Sequence, residues 1–146
     1  DDKDSIKVID MIEFVIINIF NILKLNRITM KKQFTPYEMS VKLKELGFNE
    51  KCFDVYSDVK SVGMFRNSPR DRTPKILWQQ AFDWFREIHN MNGEISLYGT
   101  PNGFNFGIYN TKNSNIYEVS DIIGNYEEAR LKCLKKLIEI VENKKG

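Results

Sequence analysis

The first clearly bounded helical pattern in the chain lies between residues 35 and 48. Thr35, Pro36 and Glu38 have the spacing of a capping box, in which the threonine hydroxyl accepts first-turn amides and the glutamate reaches back. Gly47 predicts the end of this helix, with Phe48 folding back in a Schellman motif. Between these signals the apolar face consists of Met39, Leu43 and Leu46.

Two later segments show the same helical period. One is predicted to open at the pair Thr73-Pro74 and to end at Asn92-Gly93. The other opens with a second capping box over residues 125–128, and Glu128 precedes Lys132 by one helical turn, a favourable ion-pair spacing. The apolar face of the first comprises Leu77, Trp78, Ala81, Phe82, Phe85 and Ile88, with Trp84 toward its edge. The apolar face of the second, which extends to about Glu142, comprises Ala129, Cys133, Leu134, Leu137, Ile138 and Val141.

Alternation with a period of two predicts the strands. Glu94–Tyr98 and Phe104–Tyr109 alternate on either side of the turn residues 99–103 and therefore predict a hairpin. Asn115–Val119 is a third predicted strand, and Cys52–Tyr56 is predicted to pair with Ser61–Phe65. The side chains expected on one face of the hairpin are Ile95, Leu97, Phe104, Phe106 and Ile108.

Residues 1–29 differ from the rest of the chain. Their acidic start is the wrong sign for a secretory signal, and the longest uncharged run, Phe14–Leu23, is too short for a membrane span of about 20 residues. A helix is preferred here over a strand at Phe14–Phe20, because apolar residues lie opposite a polar stripe. That stripe consists of Asp10, Glu13, Asn21 and Lys24, and the residues opposite it are Ile12, Val15, Ile19, Ile22 and Leu23.

Such a helix exposes apolar surface that something must cover. Three roles are open: it packs on the domain or on a second copy through residues 8–25, it lies on a membrane surface, or it is an upstream extension. The last is considered because Met30 looks like a natural start.

Together the elements predict an α+β fold, with a small antiparallel sheet of hairpins covered by about three helices and preceded by an N-terminal apolar helix. We assign residues 1–29 to an N-terminal extension and residues 30–146 to a single domain. A hydrophobic content of 42% is sufficient for a core of that size.

The residues that usually carry chemistry are scarce. Two cysteines, Cys52 and Cys133, and one histidine, His89, are too few for a disulfide scaffold or a His-rich metal site. Both cysteines are expected to be buried apolar side chains, which suits a reducing cytoplasm. No phosphate-binding glycine loop is present, because Gly99, Gly103 and the residues around them belong to a hairpin. The sequence therefore predicts no catalytic residue, no metal and no cofactor.

Two surfaces are candidates for binding. The net charge of +2 argues against a broad nucleic-acid surface, but cations cluster between residues 60 and 75 and could grip phosphates or an acidic partner. A solvated loop is the alternative. The second surface is the hairpin face of Tyr98, Asn105 and Tyr109, opposite the aliphatic side chains. The residues of the first are Lys60, Arg66, Arg70, Arg72 and Lys75, flanked by Trp78.

From Phe34 to Glu142 the chain resembles a family of small uncharacterised proteins carried by phages and mobile elements of gut Bacteroidetes. The resemblance implies a phage or mobile-element setting inside a bacterial cell and supplies no activity or catalytic residues. Its members begin near Met30. The segments that carry it are residues 37–38, 43–48, 52–53, 77–87, 126–129 and 133–139.

The leading functional hypothesis is a non-enzymatic accessory protein of phage type. It would bind a host or phage macromolecule, most simply a protein partner, and self-associate into a homo-oligomer. The alternatives are a nucleic-acid or nucleotide-binding module using residues 60–75, a structural component of a virion, and an enzyme whose site is not visible in the sequence.

Overall fold

The computed structural model describes residues 2–56, 73–99 and 103–145. The chain divides into two compact units, residues 1–34 and residues 35–146. The α+β class with a small antiparallel sheet is confirmed. The elements are α1 (Asp2–Lys31), α2 (Tyr37–Leu46), α3 (Trp78–Ile88), β1 (Met91–Leu97), β2 (Phe104–Asn110), β3 (Ile116–Val119) and α4 (Tyr126–Lys145).

The first unit contains α1, so the helical alternative for the N-terminal segment is confirmed. The helix continues past residue 29 to Lys31. Every large apolar side chain between residues 11 and 25 is exposed, from 49% for Val15 to 69% for Phe14. None of the helices in the described part of the chain has the length and hydrophobicity that a membrane span requires.

In the second unit the strands form an antiparallel sheet in the order β1-β2-β3. Ile95 pairs with Phe106 and Leu97 with Phe104, so the predicted shared face of the hairpin is confirmed. β3 joins β2 across a bulge next to Tyr109.

Both predicted boundaries of α2 lie within about one residue of those in the structure, but the interaction predicted at its start is wrong. The capping box is absent, because the Thr35 hydroxyl lies 2.8 Å from that of Ser40 in the interior instead of capping the first turn. The Tyr56 hydroxyl donates to the Thr35 carbonyl, so Thr35 joins α2 to another segment. The Schellman ending is confirmed: Gly47 has a φ of 106°, and the Phe48 amide donates to the Leu43 carbonyl over 2.9 Å.

The predicted start of α3 at Thr73-Pro74 is wrong. The Tyr56 amide donates to the Thr73 carbonyl (2.9 Å), and Val55 forms an isolated bridge with Pro74. A residue before proline favours extended backbone, so the Thr-Pro pair continues this pairing and the helix begins at Trp78. The predicted strand Cys52–Tyr56 is corrected to this single bridge, and its predicted partner, residues 61–65, lies outside the described residues.

The predicted end of α3 at Asn92-Gly93 is also wrong. The helix ends at Ile88, and Asn90 turns the chain with a φ of 55°, which asparagine tolerates. β1 therefore begins earlier than predicted. The face of α3 also needs correction, because Trp84 is buried (3% exposed) and Ile88 is exposed (61%).

α4 agrees closely with the sequence. The Glu128 amide donates to Asn125 Oδ1 over 2.8 Å, and Lys132 Nζ lies 2.8 Å from Glu128 Oε1. α3 and α4 cover the same face of the sheet, and α2 packs against α4. All members of the predicted apolar face are buried: Ala129, Cys133, Leu134, Leu137, Ile138 and Val141.

The helices and the sheet approach each other closely at Gly93. A Cβ atom at this position would lie 2.8 Å from Cys133 Sγ and 2.9 Å from Phe82 Cε1. Real Cβ atoms do not approach other atoms so closely, so the absence of a side chain at Gly93 sets the spacing between β1 and both helices.

Candidate functional site

The predicted basic site is only partly described. Lys60, Arg66, Arg70 and Arg72 lie outside the described residues. Lys75 is bound within the fold, since its Nζ lies 2.5 Å from Asp54 Oδ2. That hydrogen bond holds the pKa of Asp54 below its ordinary value.

The predicted tyrosine surface lies on the sheet face opposite α3 and α4. Tyr98 is exposed just beyond β1. Tyr109 covers Gly107, since a Cβ there would lie 2.3 Å from the Tyr109 hydroxyl. Tyr109 also lines a shallow groove of about 540 Å³. Trp78 is not among the residues that line this groove, so the two aromatic residues do not share a site. The described members of the predicted set therefore lie in different surroundings.

A second groove, of about 310 Å³, brings aromatic and charged side chains together at β1. We call it the edge groove. One wall comes from α3, with Trp78 and Phe82, and the other from the first turns of α4, with Tyr126 and Arg130. Residues 93–95 of β1 lie between the two walls.

Arg130 is held against aromatic rings in this groove. Its guanidinium carbon lies 4.2 Å from the centre of the Trp78 ring and 5.6 Å from that of Tyr126. A guanidinium over an aromatic face is attracted by the ring electrons, so these contacts hold the Arg130 side chain at the wall of the groove. Arg130 also covers a face of Trp78 that a stacking base would need.

Arg86, at the other end of the groove, is anchored by its neighbours. Its Nη1 lies 2.6 Å from Asp83 Oδ1, and its Nε donates to Asn92 Oδ1 over 3.0 Å. Gln79 donates to the same Asp83 carboxylate over 2.9 Å. The charge of Arg86 is thus offset by Asp83. The other charged residues that line the groove are Arg130 and the exposed Glu94.

The cysteines and the histidine have separate neighbours. Cys133 lies beneath Gly93, and burial raises the pKa of its thiol to about 12. Burial, followed by the charge of Glu50, also raises the pKa of the half-buried Cys52. The ring of His89 lies 4.6 Å from that of Trp84. Within the described ranges no three His, Cys, Asp or Glu side chains are placed to hold a metal ion.

Sequence reasoning identified Trp78 but missed Arg130. A signal existed, because Arg130 follows Tyr126 by one helical turn and must share its face. Its contact with Trp78 had no signal, since 52 residues separate the two and their meeting depends on how α3 packs beside α4.

The chain matches no protein-family model, and comparison with curated proteins and with solved structures finds no similar protein. The resemblance to phage and mobile-element proteins therefore stays a prediction.

Proposed function

We propose that the protein is a non-enzymatic binding protein that self-associates through α1. In the setting that the resemblance implies, it would be an accessory protein of phage type that binds a host or phage macromolecule. The observation that carries the proposal is the exposed apolar surface of residues 11–25.

That surface is unfavourable in water. Burying apolar surface contributes roughly 25 cal/mol per Å², so covering this helix supplies a driving force for association. Exposed apolar patches of this kind mark interaction surfaces in water-soluble proteins.

The spacing of the side chains favours a second copy of the chain as the partner. Ile12, Val15, Ile19 and Ile22 follow the three-four-three spacing of a coiled-coil seam, and all four are β-branched. Identical helices can place such seams against each other and bury them reciprocally. The next position of the repeat is Asn26, and a polar residue at such a position fixes the register between helices.

The state of the cysteines supports a non-enzymatic role. The thiolate is the nucleophilic form of cysteine, and burial raises the pKa of both thiols. Neither side chain is therefore activated for nucleophilic attack.

The test compares two substitutions of the same chemistry on opposite faces of α1. Ile19→Glu places a charge in the seam, and Ile17→Glu places it on the far side, at residues that are 52% and 59% exposed. Sedimentation equilibrium should give an oligomer for the unmodified protein and for Ile17→Glu, and a monomer for Ile19→Glu. A monomeric unmodified protein, or equal dissociation of both variants, would contradict the proposal.

The nucleic-acid alternative stays a prediction for residues 60–75. It requires salt-sensitive binding of an oligonucleotide that weakens when Arg66, Arg70 and Arg72 become alanine. Unchanged binding by that triple variant would exclude it. The virion alternative requires the protein among the components of purified particles.

A further inference from the structure

The two ends of α1 have opposite net charge. Residues 2–13 include four acidic and two basic residues, residues 14–23 include no charged residue, and residues 24–31 include three basic residues and no acidic one. Glu13 and Lys24, which border the uncharged segment, are both exposed. A helix with this pattern is complementary to a reversed copy of itself, because each acidic end then lies beside a basic end.

The spacing of the seam is the same in both directions along the helix. Its residues follow one another by three, four and three positions, from Ile12 to Ile22. A reversed copy can therefore place Ile22 opposite Ile12 and Ile19 opposite Val15, so that apolar side chains fill each layer. Asn26 opposes a shift of one heptad toward the basic end, because the shift would place it opposite Val15 near the centre of the seam.

A parallel pair suits the same helix less well. It would place the two acidic ends side by side and the two basic ends side by side. Packed helices have axes about 8–10 Å apart, similar to the Debye length of about 8–10 Å, so this repulsion is only partly screened. Parallel pairs also favour leucine at the second seam position, which is Val15 or Ile22 here. Asn26 would meet its own copy, but a buried asparagine in the seam costs stability.

We propose that two copies of α1 pair in opposite directions, with the acidic end of each helix beside the basic end of the other. This inference rests on the proposed self-association through α1 and adds the orientation of the second copy. The C-terminal ends of the two helices would lie about 40 Å apart along the pair, because each residue adds about 1.5 Å. In a parallel pair these ends would lie side by side.

The experiment forms disulfides across the seam. Ile12→Cys and Ile22→Cys are made in separate chains of different length, both with Cys52→Ala, and are oxidised alone and as a mixture in a glutathione buffer. A disulfide requires Cα atoms about 4.4–6.8 Å apart, so it reports directly opposed residues. The mixture should give a link between the two unequal chains, and each variant alone should remain unlinked. Ile17→Cys, on the far side of the helix, controls for random collisions.

Each outcome distinguishes the orientation from self-association itself. Links within Ile12→Cys alone and within Ile22→Cys alone would show a parallel pair and overturn the orientation, while self-association would stand. An oligomer in which neither the mixture nor the single variants form a link would overturn the pairing along this seam. A monomeric unmodified protein in sedimentation equilibrium would contradict self-association, and the orientation with it.

Charge reversal tests the electrostatic part without changing the seam. In the reversed pair, Glu13 lies opposite Asn21 of the second copy, less than one turn from Lys24 of that copy. At low ionic strength Glu13→Lys and Lys24→Glu should each weaken association about threefold, and added salt should reduce both effects. In a parallel pair each substitution leaves like charges opposite each other. Unchanged or stronger association of both variants would therefore overturn the orientation.

Discussion

α1 and α4 are both long helices with many apolar residues, but the surroundings of those residues differ. In α4, Leu134 and Leu137 are completely buried, whereas in α1 Ile19 and Ile22 are more than half exposed. The residue types are similar, so composition does not explain the contrast. α4 packs against the sheet and two other helices of its own unit.

The contrast teaches what helical periodicity determines. It identifies which side chains share a face, and it did so correctly for α4. It leaves open what covers that face. For α4 the cover lies within the same unit, and for α1 we propose that it is another copy of the chain.

The largest expected effect comes from truncating an equivalent side chain in each helix. Leu137→Ala should lower the free energy of unfolding by about 2–5 kcal/mol, because it leaves a cavity in a filled core. Ile19→Ala should change the unfolding of the second unit by less than about 0.5 kcal/mol. Urea titration followed by fluorescence of Trp78 and Trp84, which both belong to the second unit, measures this. Equal losses of unfolding free energy for the two variants would contradict the difference in burial between α1 and α4.

A methyl group at the contact between α4 and the sheet should have the next largest effect. Gly93→Ala should destabilise by about 1–3 kcal/mol, because the new Cβ would lie 2.8 Å from Cys133 Sγ. Gly124→Ala is the matched control, since nothing lies within 4 Å of a Cβ there. The loss should shrink when Cys133 is also alanine, since the two sites are in contact. If the losses of stability from Gly93→Ala and from the alanine at Cys133 were additive, the new methyl group would be crowded by a side chain other than Cys133.

The buried thiol of α4 should make stability depend on alkaline pH. Its pKa is raised from 9.0 to about 12, so above pH 9 the unfolded chain loses a proton that the folded chain keeps. Stability should therefore fall as pH rises from 9 toward 12, by at most about 1.4 kcal/mol per pH unit. Cys133→Ala should lack this component, and subtracting its unfolding curves from those of the unmodified protein measures it. If the stability of both proteins fell equally with rising pH, the burial of the thiol would be contradicted.

The smallest effects should come from the polar groups at the start of α4. Asn125→Ala removes the acceptor for the Glu128 amide and should cost about 1 kcal/mol. Lys132→Ala removes only an exposed ion pair and should cost about 0.3–0.5 kcal/mol. The same urea titration ranks the two. A larger loss for Lys132→Ala would show that electrostatics rather than capping fixes the start of this helix.

Local signals in the sequence were reliable where the chain satisfies its own backbone groups. Gly47 ends α2 as predicted, because a left-handed residue there lets two amides reach back into the last turn. Asn125 begins α4 as predicted, because its side-chain oxygen accepts the Glu128 amide in the first turn. The hairpin face followed from alternation, which fixes the side of the sheet on which each side chain lies.

The same local reasoning was wrong at both Thr-Pro pairs, because distant partners competed for them. The Thr35 hydroxyl meets Ser40, and the Thr73 carbonyl accepts the Tyr56 amide across 17 residues of sequence. A capping sequence shows that a side chain is able to cap the start of a helix. A buried polar group nevertheless forms its hydrogen bond with whichever partner the tertiary packing brings within reach.

By itself, then, the sequence determined the α+β class, the hairpin and the buried face of α4, since each depends on spacing within a few turns or strands. The tertiary structure alone decided that Arg130 lies on Trp78 and that Gly93 carries the contact with both helices. These relations join residues far apart in the chain, and the packing of α3 and α4 on the sheet fixes them.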